Sequence, residues 1–375
     1  MAGPCPTDFA SMADELGFSC ADVRPVVNVR NPLDLANWTL PVVELLLVSL
    51  AIAAAAQAVR RWRAGDVTPG ALWLGSVVYL MAMEPPVYFP AQFGVEDHLK
   101  TAFVHNVFTV EFMFDRMPLY ILCLYPAMAV LSYEGVRSFG VFRRRGLLAG
   151  SMCVGFVHHC FYEVFDHLGP QLKWWAWNPE EKNIAAVIGS VPVASVFMFA
   201  TVGPAALTFL VRTFVTGRAP QGPLRVAGGI VLSGVLTTLV VLVAGIPGIV
   251  AGTIGGDPNT AAQTLVMMAF VVVFAVVAFA VLPVEWCRNR LSGHPDDDTA
   301  RRYVVAAAGA YCAVFAGLWG SELPGLPAGS VDERVAGSVP YALACFVLAV
   351  VFTVGVATGG RVAAVRDPVV EKEMV

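Results

Sequence analysis

Apolar residues run through this chain in long blocks separated by short polar connections. The blocks cover residues 39–59, 69–88, 117–136, 146–166, 184–211, 225–253, 260–285, 303–321 and 337–358. Each is about 20 residues or longer, the length an α-helix needs to cross the hydrocarbon core of a bilayer. None shows the strict alternation over about ten residues expected of membrane β-strands. Backbone groups in hydrocarbon have to be satisfied inside a helix or a closed barrel. The pattern therefore predicts an all-α, polytopic integral membrane bundle of about nine transmembrane helices.

Residues 1–38 read as an extracytoplasmic N-terminal tail, 39–358 as a single transmembrane domain and 359–375 as a cytoplasmic tail. Within the domain, a polar part (69–182) precedes an apolar scaffold (184–358) rich in Val, Ala and Gly. The tail holds Asp8, Asp14, Glu15 and Asp22 and has no basic start, so it does not read as a signal peptide.

Composition agrees with this reading. Of 375 residues, 57% are hydrophobic and 14% charged, and the mean hydropathy is +0.68. A soluble domain keeps roughly a quarter of its residues charged. Charge also sets the expected orientation. Alternate loops, starting with Arg60, Arg61 and Arg63 and ending with Arg361, Arg366 and Lys372, carry seventeen of the 24 Lys and Arg. The positive-inside rule puts those loops in the cytoplasm, with the N-terminus outside and the C-terminus inside. The expected location is the cell membrane, as a multi-pass protein. The expected partners are the lipid bilayer and an apolar small molecule. No basic stripe suggests nucleic acid.

Ionisable residues gather in one stretch. Five of the six histidines lie between His98 and His167, with Glu111, Asp115, Glu163 and Asp166 among them and Glu84 just before. Each ionisable side chain in hydrocarbon costs at least about 2.5–3.5 kcal/mol on insertion scales, so such residues are functional candidates. The fourth block ends VHHCFYEVFDHLGPQ. On a helix His159, Glu163 and Asp166 share one face, with Tyr162 at its border. An imidazole beside two carboxyls can transfer protons, or hold a divalent cation through nitrogen and oxygen. Solvation at the helix end is the plainer reading. Glu84 stands before two prolines that interrupt its helix, where irregular backbone can line a cavity.

The connection FPAQFGVEDHLKTAFVHNVFTVEFMFDR (89–116) is expected to be an amphipathic surface helix leading into the third span. An alternative starts that span near Phe103, with a bend at Pro118. Glu111 and Asp115 could bind a cation or face water, and His105 could be a ligand or an interfacial histidine. Trp174, Trp175 and Trp177 read as an interfacial aromatic belt, or as the wall of a substrate entrance. Cys5 and Cys20 could pair in an oxidising compartment. The other six cysteines, in or beside the apolar blocks, read as core thiols.

There is no Walker A loop, no GxSxG and no desaturase-type histidine pattern. Asn106, Glu111 and Asp115 loosely match one prenyltransferase aspartate motif, but a second is missing. The string Asp166-His167-Leu168-Gly169-Pro170-Gln171-Leu172, after Phe161, Tyr162 and Glu163, resembles the D-x-L-G-P-K-L segment of the carotenoid-biosynthesis integral membrane proteins, which include bacterioruberin-type hydratases. Gln171 replaces the lysine, and WWAW replaces the prolines that usually follow. Only Asp166, Gly169 and Pro170 carry over.

The resemblance implies an enzyme that protonates, hydrates or cyclises an isoprenoid. In that reading Glu84, His159, Tyr162, Glu163 and Asp166 are catalytic candidates. Tyr88, His105, Glu111, Asp115, Phe161, Trp174 and Trp175 are substrate-binding candidates. No cofactor is firmly implied, although the acids could hold a divalent cation such as magnesium. The alternatives are a proton- or cation-coupled transporter and a His-ligated metal or haem protein.

Overall fold

The structure is a computed structural model that describes residues 6–19, 24–216, 222–256, 258–292, 298–322 and 338–359. Cys5 and Cys20, and with them the expected disulfide, lie outside the described residues. The helices are α1 (Thr7–Glu15), α2 (Leu40–Arg63), α3 (Thr68–Tyr88), α4 (Leu119–Ser138), α5 (Val141–Gln171), α6 (Val193–Ser195), α7 (Gly203–Phe214), α8 (Pro223–Thr253), α9 (Thr260–Ser292), α10 (Asp298–Glu322) and α11 (Val339–Thr358). A π-helical segment, Val196–Val202, joins α6 to α7 and makes them one continuous span.

Eight helices among the described residues are long and apolar enough to cross a membrane. The ninth expected span, α3, forms as a helix but carries Glu84, Pro85 and Pro86 and is not among these eight. Burial ranks the helices. Most of α4 and α5 is enclosed, 83% and 78% of their apolar stretches, against 22% for α9 and α11. The outer helices present Val235, Leu239, Val243, Val272, Val276 and Phe279 outward. Apolar surface on this scale needs a non-aqueous surround.

One end of the bundle is basic, and its arginines pair across helices. Arg61 holds Glu134 through two bonds of 3.1 and 2.9 Å. Arg137 pairs with Asp66. Arg145 meets the buried Glu285 at 2.6 Å, with Arg144 and Arg288 also on that carboxylate.

The opposite end is capped by short strands and by the N-terminal segment. Strand β1 (Phe103–His105) pairs antiparallel with β4 (Trp175–Trp177), placing His105 opposite Trp175. Strands β2 (Glu111–Phe112) and β3 (Met117–Pro118) form a hairpin, as do β5 (Val187–Ile188) and β6 (Val191–Pro192). The amphipathic helix expected across 89–116 is therefore corrected, as is the early start of the third span: the connection holds strands and turns, and α4 begins at Leu119. The run Phe103-Val104-His105 suits a strand buried on both faces. Met113, Phe114 and Asp115 are all left-handed, at φ of 58°, 57° and 59°, which breaks any helical period.

The N-terminal segment is structured as well. Helix α1 buries Phe9, Met12 and Ala13 at helical spacing against Val104 and Ala176. Arg30 locks the cap by donating to Asn106 Oδ1 at 2.5 Å and to the Gly17 carbonyl at 2.6 Å.

Candidate functional site

Beneath this cap lies a cavity of about 20 Å3, lined by Glu84, His105, Tyr125, Tyr162, Asp166 and Ser195, with Phe103, Phe165, Trp175, Trp177 and Phe199 among its aromatic walls. Two carboxyls from different helices thus face one small space. Tyr125 of α4 donates to Glu84 Oε1 at 2.7 Å. Ser195 of α6 donates to Asp166 Oδ2 at 2.6 Å. Among the described residues, no Lys or Arg lies within ion-pair distance of either acid. Glu84 Oε2 and the indole N–H groups of Trp175 and Trp177 have no hydrogen-bond partner among the described residues. An unsatisfied buried polar atom costs about 1–3 kcal/mol, so an unpartnered Glu84 oxygen on the wall of a cavity marks a place for a polar guest. The volume suits about one water-sized species.

Local structure explains how these side chains arrive. Pro85 and Pro86 remove two backbone donors just after Glu84. Gly169 lets the cap close on α5: a Cβ there would stand 1.9 Å from the Trp175 ring. The π-helical segment has carbonyls that side chains capture. His158 Nδ1 donates to Ala200 O at 2.9 Å, Thr201 to Val196 O at 2.8 Å and Tyr79 to Met198 O at 3.3 Å. Single π turns recur at functional sites. Gly155 completes the fit, since a Cβ there would lie 2.7 Å from Thr201 O.

The expected stripe on α5 is divided. Asp166 and Tyr162 face the cavity, whereas Glu163 and His159 belong to a neighbouring buried group that reaches α11. His159 Nδ1 donates to Thr201 Oγ1 at 2.9 Å, because that hydroxyl gives its own proton to Val196 O. His159 Nε2 accepts from Tyr341 at 3.0 Å. Glu163 lies 3.4 Å from His167 Nδ1 and 3.9 Å from His159 Nδ1. Both nitrogens are directed elsewhere, and neither carboxylate oxygen has a hydrogen bond.

The cap holds a separate acidic pair. Glu111 and Asp115 are fully buried rather than facing water. Asn28 donates to Asp115 Oδ2 at 3.3 Å, and Thr109 bonds the nearby Glu44. Burial, and then the adjoining Asp115, push Glu111 up to about 8. Burial raises Asp115 too. His105 is pushed down to about 4 by burial, so it is neutral and donates Nδ1–H to the Arg116 carbonyl at 3.1 Å.

Of the other expected residues, Tyr88 lies 3.5 Å from His105 Nδ1, next to the cavity. Phe161 faces away, edge-on to Tyr311 at 5.6 Å. Trp174 and Trp175 are 0% and 3% exposed, so the expected aromatic belt is corrected to an internal wall. Trp174 is tied inside, donating to Thr39 at 2.9 Å. Tyr125, Ser195, Phe199, Thr201 and Tyr341 were not singled out from the sequence. Hydroxyl and aromatic residues in apolar helices carry no signal of their own until a carboxyl is placed beside them.

Among the described residues no group of three His, Cys, Asp or Glu side chains is placed to hold a metal ion. Comparison with protein-family models, curated proteins and solved structures gives no match to this chain.

Proposed function

We propose that this protein is a membrane-embedded acid–base enzyme acting on an apolar isoprenoid or lipid, with Glu84 and Asp166 as its proton donors and acceptors. One observation carries the reading: two carboxyls, each held by a hydroxyl at 2.7 or 2.6 Å, face one aromatic-walled cavity. The proposal includes nine spans, counting α3, with the N-terminus outside, the basic loops in the cytoplasm and the cell membrane as location. The local resemblance through Asp166, Gly169 and Pro170 points to the same substrate class.

In this mechanism one acid, in its neutral form, gives its O–H proton to an alkene carbon. The π pair forms the new C–H bond, the neighbouring carbon becomes cationic, and a carboxylate remains. The cation either loses an adjacent C–H proton to that carboxylate, which restores both the acid and a C=C bond, or adds water and returns the water's proton. Tyr162, Phe165, Trp175 and Trp177 stabilise the cation through their ring faces. Pockets for larger ligands run roughly 300–1,000 Å3, so the walls must part for the chain to enter. Membranes containing the protein, supplied with isoprenoid alkenes, test the reading. Turnover that survives Glu84→Gln and Asp166→Asn overturns it.

The size of the cavity favours a second reading, proton-coupled transport, because a space of about 20 Å3 fits a water-sized proton carrier as it stands. Proton flux in proteoliposomes, lost in the same variants and without isoprenoid turnover, selects it.

A further inference from the structure

A second polar cavity, of about 390 Å3, opens at the basic end of the bundle. It lies between the start of α3, the end of α4, the α4–α5 corner and the end of α7. Its lining includes three guanidinium groups, Arg137, Arg143 and Arg212, and one carboxylate, Asp66. Three guanidinium groups thus stand against one carboxylate among the described lining residues, with Asp66 on Arg137, which also lies 3.8 Å from Glu134. Arg212 is fixed in orientation: it donates to Tyr133 Oη at 2.7 Å, and its Cζ lies 4.4 Å from the centre of the Phe142 ring. Both partners are neutral. Thr68 and Thr216, whose hydroxyls bond each other at 2.8 Å, lie on the same wall.

A planar guanidinium held by a ring and a phenol presents its remaining N–H groups in a fixed fork. That fork matches the oxygens of a phosphate. We infer that this cavity binds a phosphate-bearing anion, with Arg212 and Arg143 as ligands. The site is independent of the acid–base reading, since it uses none of those residues and lies at the other end of the helices. A soluble phosphorylated molecule and the headgroup of an anionic lipid share the chemistry, and both can reach the membrane surface at this end.

Labelling of arginines with a dicarbonyl reagent, read peptide by peptide by mass spectrometry on the full-length protein, tests the site. One arm titrates inorganic pyrophosphate in neutral detergent. The other compares nanodiscs of phosphatidylcholine with nanodiscs containing phosphatidylglycerol. At a probe concentration roughly ten times Kd, labelling of Arg212 is expected to slow about tenfold, while the exposed Arg63 is unchanged. Protection by pyrophosphate identifies a soluble phosphate ligand. Protection confined to phosphatidylglycerol identifies a headgroup. No protection in either arm, or equal protection of Arg63, overturns the inference. A thermal midpoint raised by the probe in the wild type and in Arg63→Gln, but not in Arg143→Gln or Arg212→Gln, gives a second readout. The labelling on wild-type protein stands even if either variant fails to fold.

Discussion

The hydroxyl of Ser195 donates a 2.6 Å hydrogen bond to Asp166 Oδ2, joining the first turn of α6 to the end of α5 where both are buried. The bond holds one acid of the proposed site at a fixed angle to the cavity, and it enters the span just before the π-helical segment. Ser195→Ala leaves Asp166 Oδ2 without this donor, so a loss of about 1–3 kcal/mol in stability is expected. Chemical denaturation in detergent measures it. Asp166→Asn keeps the volume and removes the acid, so it should spare stability more than activity.

Glu84 and Tyr125 separate proton donation from positioning. In the proposed enzyme, Glu84→Gln removes an O–H donor and should lower turnover by about 10²–10⁴-fold. Tyr125→Phe keeps the acid and loses only the 2.7 Å bond that orients it, so a smaller loss is expected. Equal losses in the two variants, at equal folded yield, would count against Glu84 as the group that gives up the proton.

Gly169 is where the cap meets α5. Gly169→Ala puts a Cβ 1.9 Å from the Trp175 ring, and that indole wall cannot move without disturbing the pairing of β4 with β1. Overpacking of this kind costs about 1–3 kcal/mol. A lower thermal midpoint, with a shift in Trp fluorescence, is the expected result.

Glu111 makes stability depend on pH. In the folded protein it titrates at about 8, whereas in an unfolded chain it titrates near 4.3. Between those values the folded state keeps a proton that the unfolded state has lost. The stabilising contribution is therefore complete at low pH and disappears as pH rises through about 8. Thermal midpoints of the wild type should fall between roughly pH 5 and pH 9, and Glu111→Gln should flatten that slope. An unchanged slope in the variant would assign the effect to other groups.

Much of the architecture was legible along the chain. The length of each apolar block depends only on local composition, and the observed helices follow the expected blocks from Leu40 to Thr358, except that the start of the 184–211 block forms the β5–β6 hairpin and its span begins at Val193. The arginines at alternate block ends foreshadowed the basic end. The polar stretch from Glu84 to Trp175 was also visible, because ionisable residues are rare in such a sequence. The fold of the cap was not. Residues 89–118 combine aromatic, β-branched and charged residues without a clean period, and β1 exists through pairing with Trp175–Trp177, some 70 residues away in the chain.

Sequence alone determined that the chain is a bundle of apolar helices with one basic end and a cluster of ionisable residues toward the other. Both properties follow from transfer free energies that act residue by residue. Tertiary structure decided which of those residues meet. His159, Glu163 and Asp166 share a helix face by spacing, yet only Asp166 lines the cavity with Glu84, because α6 brings Ser195 to Asp166 whereas Thr201 and, from α11, Tyr341 bond His159. Which groups share a cavity depends on how neighbouring helices are packed and rotated, and no single helix encodes that.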